Sequence, residues 1–229
     1  MPPRHKSLRS YAAASETDKK ICGAGLLISS AGRKHVPPPS RNVNLRAIVW
    51  TYIMQIRPRA EAELEWFRSQ TSVTAAIERA ALAINSRGQR YSHQRRLKRK
   101  TLEQASEILC ECEPRIRRAK NFGELFNVVD TVLQNVTGIG ELYVYDTSLR
   151  LGARLNLEPT KVYLHSGTRV GASALGLDGR AKALPLSELP AAFHELRPHE
   201  IEDVLCIFKD KFNKPATSIA DKSIRSWCN

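Results

Sequence analysis

Gly138-Ile139-Gly140 stands between two stretches of helical periodicity, and no other motif restricts the fold of this chain as much. Before it, Leu125, Val128, Val129 and Val132 recur three and four residues apart behind Asn121 and Glu124, a pair that resembles a capping box. After it, a helix is predicted from Glu141 to about Leu155. Glycines on both sides of one aliphatic residue let the chain turn sharply and leave backbone N–H groups uncovered. The second helix starts at once, so its unpaired N–H groups and positive dipole end lie at the turn. Such a turn can hold a phosphate without any side chain. The same three residues would also serve as an ordinary turn between helices, so the rest of the chain has to discriminate.

Apolar periodicity places further helices on both sides. Leu45, Ile48, Val49, Tyr52, Ile53 and Ile56 share one helical face, which Pro58 interrupts, and Ala60 to Phe67 supplies another piece. Val73, Ala76, Ile77, Ala80 and Ile84 form a stripe behind the cap residues Thr71 and Ser72, with Gly88 expected to stop it. Leu102, Ala105, Ile108, Leu109 and Cys112 form the next, ended by Pro114. Ser166 to Leu175, Glu188 to Leu196 behind Ser187, and a last helix behind Pro198 complete the set. The fold class is therefore all-α, with roughly eight to ten helices. The helical domain is expected over residues 43–212. A basic arm precedes it at 1–42, ending in Pro37-Pro38-Pro39, and a polar tail follows at 213–229.

Charge is placed unevenly. Residues 1–100 hold 20 Lys/Arg against 6 Asp/Glu, whereas the remainder is nearly balanced. The run Ser86 to Lys100 carries Arg87, Arg90, Arg95, Arg96, Lys98, Arg99 and Lys100 with no acid, and Tyr91 and His93 sit inside it. Such density attracts a phosphate backbone, and arginine grips phosphate in bidentate fashion. A solvated, solubilising loop is the plain alternative, but the neutrality of the following half favours a polyanion contact. The apolar run Ile21 to Ile28 is too short to span a membrane. Cys22, Cys110, Cys112, Cys206 and Cys228 match no zinc spacing, and an odd count without a framework suits a reducing cytoplasm, at the nucleoid if the source is bacterial. His194, His199, Glu200, Glu202 and Asp203 cluster near the last helix, with His199 and Asp203 spaced to share a face. No metal site and no cofactor are expected from these spacings.

Tyr163-Leu164-His165-Ser166-Gly167-Thr168-Arg169-Val170, followed by Ala174-Leu175-Gly176, resembles the segment that carries the catalytic aspartate in the helix-hairpin-helix DNA glycosylase superfamily. Together with the glycine turn, the resemblance runs from Val136 to Gly176. It implies a helix-hairpin-helix glycosylase-like domain with a basic N-terminal extension. It also implies duplex DNA as partner, with Gly138, Ile139, Gly140 and Arg169 among the DNA contacts. The family's Schiff-base lysine falls on Leu142, which cannot form one, and its aspartate falls on His165. The family's iron–sulfur cysteine loop is absent. Asp146, one helical turn past Leu142 on the same face, and His165 are the groups that can replace the missing chemistry. Each has a structural alternative: Asp146 as a helix carboxylate paired with Arg150, His165 as a loop anchor. Tyr143, Tyr145 and Tyr163 are candidates for stacking on an extruded base, or else half-buried core.

The expected function is DNA binding through the hairpin amides and the basic segment, without lyase activity. One alternative is monofunctional base excision using Asp146 or His165. Another is a helical regulatory protein that binds RNA or an acidic partner.

Overall fold

The computed structural model describes residues 45–212. The basic arm at 1–42 with Cys22 and the Ile21–Ile28 run, and the tail at 213–229 with Cys228, lie outside the described residues. The described chain is mostly helical. Its helices are α1 (Leu45–Gln55), α2 (Arg57–Arg68), α3 (Val73–Ala81), α4 (Arg99–Glu111), α5 (Glu113–Arg118), α6 (Phe122–Leu133), α7 (Glu141–Leu155), α8 (Ser166–Ala174) and α9 (Pro198–Ile207). Two short strands, β1 (Val162–Tyr163) and β2 (Ala183–Leu184), pair antiparallel with Val162 opposite Leu184.

Several helix starts follow from their caps. Ser72 caps α3 by accepting from the Ala75 N–H at 3.0 Å. Asn121 caps α6 by accepting from the Glu124 N–H, and the Glu124 carboxylate returns the contact to the Lys120 N–H and the Asn121 side chain, all at 2.9 Å. Each cap satisfies a donor that the first helical turn leaves over.

Other ends differ from the sequence expectation. The α3 stripe stops at Ala81 instead of continuing past Ile84, because Ala83 turns left-handed (φ 55°) and Asn85 folds the next residues into a tight turn. The Asn85 side chain accepts from the N–H groups of Arg87 and Gln89, which competes with helix extension. Gly88 (φ +72°) then forms the tip of that turn. Helices α1 and α4 end just before Pro58 and Pro114, as expected, and each proline also occupies the first turn of the next helix, α2 or α5, where no N–H is needed. The helix expected from Glu188 to Leu196 is instead two 3₁₀ turns, Leu186–Glu188 and Ala191–Phe193, divided at Pro190. Proline in a helix interior removes a hydrogen bond and clashes with the carbonyl four residues earlier.

The helices enclose two apolar cores. Ile77, Leu102, Leu109, Leu125, Val129 and Leu151, from α3, α4, α6 and α7, are fully buried in the first. The second gathers Ile48 and Tyr52 of α1 with Val162, Leu184, Val204, Leu205, Phe208 and Phe212. The described residues therefore begin and end in the second core and build the first from their middle. Phe122, Tyr145 and Tyr163 form a small aromatic cluster of their own. Helix α7 serves both sides: Tyr143 and Val144 face the first core, and Tyr145 enters the aromatic cluster.

Candidate nucleic-acid interface and adjoining cavity

The α6–α7 turn is held by short backbone contacts, with the Ile139 N–H donating to the Val136 carbonyl at 3.1 Å. Gly138 has φ +93°, which a side chain would strain. Gly140 is the N-cap of α7 in extended conformation, and it gives the first-turn N–H groups no side-chain acceptor. Both glycines are exposed, and a Cβ built on Gly140 meets nothing within 4 Å. The result is an open, positively polarised N-terminus on a 15-residue helix.

The basic run lies along this helix end because it is fastened at two points. At one, His93 Nε2 lies 2.7 Å from Asp146 Oδ2, and Gln94 donates to the same oxygen at 2.8 Å. At the other, Thr101 in the first turn of α4 donates to the Thr137 carbonyl at 3.4 Å. Residues 95–100 connect the two points, so Arg95, Arg96, Lys98, Arg99 and Lys100, all exposed, are carried past the glycine turn. Arg87 is exposed on the preceding turn. Three cations are partly engaged elsewhere. Arg90 donates to the Leu97 carbonyl, and Arg99 pairs with Glu103. Arg169 of α8 donates to the carbonyls of Gly179 and Ala181 and pairs with Glu141 at 2.9 Å. Arg169 thus balances the one acid in the first turn of α7.

A cavity of about 210 Å³ opens beside this helix end. Arg59 and Glu63 of α2, Tyr91 and His93 of the basic run, Leu142 and Asp146 of α7, and Glu202, Asp203 and Cys206 of α9 line it. Asp146 is mostly buried. Arg150, one turn along α7, donates to Asp146 Oδ2 and to Gln94, both at 3.2 Å, and its guanidinium stacks 4.0 Å from the Tyr91 ring centroid. Burial alone would push the Asp146 carboxyl up. The Arg150 guanidinium and the His93 contact outweigh that and hold it below the usual carboxylate range. All three contacts fall on Oδ2, so Oδ1 is not consumed by this network. Asp203, which accepts from the Tyr52 hydroxyl at 2.8 Å, goes the other way: burial and the neighbouring Glu202 charge raise it well above its ordinary value. One wall of the cavity therefore carries a carboxyl held below its ordinary value and another a carboxyl held above it.

His165 does not line this cavity. It is the buried N-cap residue of α8, and its Nε2 contacts Glu202 Oε1 of α9. Burial opposes the imidazolium, but the Glu202 carboxylate outweighs it, and the His165 pKa is raised. Glu202 is thus the link between His165 and the cavity.

The three candidate stacking tyrosines are not on this cavity's wall either, but Tyr145 and Tyr163, with His165, Glu141 and Arg169, line a separate cavity of about 380 Å³. Tyr143 is buried in the first core and donates to the Ala81 carbonyl at 2.6 Å. Tyr145 and Tyr163 pack among Phe122 and Phe126, with ring centroids 4.6 Å apart for Phe126 and Tyr163. Tyr91 is the aromatic residue that does reach the cavity. Tyr143→Phe should cost about 1 kcal/mol, the ordinary worth of one hydrogen bond, in urea unfolding, with no change in DNA affinity.

Sequence reading named His93 and Glu202 without assigning them a role. Their partners, Asp146 and His165, are 53 and 37 residues away, and only the packing of separate helices brings them together. The spacing of His199 and Asp203 does not make a pair: His199 is buried with its Nδ1 unpartnered, and Asp203 bonds Tyr52. No helix among the described residues is long and apolar enough to cross a membrane. Comparisons with protein-family models, curated proteins and solved structures give no match to this chain.

Proposed function

We propose that this domain binds duplex DNA with a helix-hairpin-helix arrangement of the glycosylase type, gripping phosphate at the α7 N-terminus and along the basic run. The observation that carries the reading is the uncapped, exposed Gly140 end of α7 with residues 95–100 fastened beside it. Backbone amides at the turn would fix the phosphate, and the arginines and lysines would supply the long-range attraction. Affinity should then fall steeply with salt, with a log–log slope of about 0.9 per neutralised phosphate. Arg95→Ala, Arg96→Ala and Arg99→Ala combined should flatten that slope by about two to three units. Fluorescence anisotropy of a labelled duplex across a salt series measures it. An unchanged slope and unchanged low-salt affinity would remove the basic run from the footprint.

A second reading, monofunctional base excision, is favoured by one observation: Asp146, held low by Arg150 and His93, lines a cavity that also carries Asp203, held high by burial and Glu202. Groups pushed in opposite directions are the usual arrangement of acid–base sites. Water would add to the sugar carbon as its bond to the base breaks, the Asp146 carboxylate would balance the positive charge developing on the sugar, and the proton lost by the water would pass to the departing base. Leu142 on the same wall rules out a Schiff base there. Damaged or modified duplexes should therefore yield alkali-labile sites with wild type, none with Asp146→Asn, and no adduct with borohydride. A borohydride-trapped adduct would overturn the claim of no lyase chemistry, product that survives Asp146→Asn would remove Asp146 from the site, and no product on any modified duplex would leave DNA binding alone.

A further inference from the structure

We infer that His165, Glu202 and Cys206 form a three-ligand site for a zinc-like divalent cation where α8 meets α9, with the fourth position turned to the cavity beside Asp146. The inference is independent of DNA binding. One ligand atom from each of the three residues lies within 4.8 Å of the others, and all three residues are buried. Imidazole nitrogen, carboxylate oxygen and thiolate sulfur are the donors that such ions take, and three protein ligands with one open position is a recurrent arrangement.

The backbone brings these residues together. Glu202 and Cys206 are one turn apart on α9 and share a face. Gly167 and Gly171, one turn apart on α8, let α9 approach closely: a Cβ on Gly167 would lie 2.7 Å from Cys206 Sγ, and one on Gly171 would lie 2.1 Å from the Leu205 carbonyl oxygen. His165, at the N-terminus of α8, is thereby set against the Glu202–Cys206 face.

Unpaired buried polar atoms point to an ion in preference to a simple hydrogen-bonded pair. The Nδ1 of His165 is buried without a hydrogen-bond partner, and so is the hydroxyl of Tyr145, whose ring centroid lies 6.2 Å from that of His165. Buried polar atoms are rarely left unpaired. Bound to an ion, the Glu202 carboxylate and the Cys206 thiol, deprotonated on binding, would match the charge of one divalent cation. Glu202 and Cys206 also line the cavity, so a water or ligand atom entering from it completes four-coordination. Sequence spacing hides the site because the histidine and the α9 ligands are far apart in the chain.

The test is titration of chelator-treated, full-length protein with Co²⁺, followed by optical absorption. One equivalent should give a sulfur-to-cobalt charge-transfer band with the visible bands of four-coordinate cobalt, and Zn²⁺ should displace it. Cys206→Ser should abolish the charge-transfer band and weaken binding by more than the 10–100-fold typical of losing an outer-sphere partner. Glu202→Gln should weaken binding while keeping the sulfur band, and Cys110→Ser with Cys112→Ser should leave both intact. Absence of a sulfur band, its survival in Cys206→Ser, or its loss in the Cys110–Cys112 variant would overturn the inference. Should Cys206→Ser not fold, unchanged cobalt affinity in Glu202→Gln would overturn it equally.

Discussion

Gly171→Ala is expected to destabilise the protein by about 3 kcal/mol or more, at the upper end of overpacking effects. The added Cβ would lie 2.1 Å from the Leu205 carbonyl oxygen, 2.8 Å from its carbon and 3.1 Å from its Cα. These are backbone atoms of α9 and cannot rotate away as a side-chain tip can. Relief requires α8 and α9 to separate, which opens the contacts of Ala172, Val204 and Leu205 in the second core. Chemical denaturation by circular dichroism should show a much lower midpoint. A midpoint within about 1 kcal/mol of wild type, well short of ordinary overpacking costs, would mean that the two helices are not packed this closely.

Asp146→Asn should cost about 3 kcal/mol at neutral pH. The change keeps the shape but leaves Arg150, only 5% exposed, without its carboxylate. Breaking a buried pair from one side typically costs about 3–5 kcal/mol, and the stacking of Arg150 on Tyr91 offsets part of it. The pH dependence has a definite sign. A carboxyl held below its ordinary value stabilises the fold above the unfolded pKa of about 3.9 and loses that contribution as pH falls through the folded value. Wild type should therefore exceed Asp146→Asn throughout the neutral range, and the two should converge below about pH 4. Equal stabilities at pH 7 would contradict the network drawn around Asp146.

What the sequence made legible is what local rules govern. The α3 and α6 starts were readable from Ser72, Asn121 and Glu124, because a cap and its partner lie within one turn. The Asp146–Arg150 pair was readable for the same reason. The cavity was not, since α2, the basic run, α7 and α9 contribute to it from distant parts of the chain. The tyrosines illustrate the difference. Tyr143 and Tyr145 are two residues apart on a helix, so they point to different sides, one into the first core and one into the aromatic cluster. A list of aromatic residues near the turn could not separate those destinations from the cavity that Tyr91 reaches. The end of α3 was hidden because Asn85 bonds its own local backbone, a competition that apolar periodicity does not register.

The most direct test of the account is Gly140→Asp. Gly140 is an N-cap in extended conformation with open space where a Cβ would go, so aspartate fits and is itself a preferred cap. Helix stability should therefore hold or rise by a few tenths of a kcal/mol. The same carboxylate would occupy the α7 N-terminus and repel a phosphate there. Anisotropy titration of a labelled duplex at low salt should show affinity at least about 10-fold weaker than wild type, a loss of about 1.4 kcal/mol, while the unfolding midpoint stays unchanged or increases. A folded Gly140→Asp protein that binds duplex DNA as tightly as wild type would contradict the assignment of the α7 N-terminus as the phosphate site.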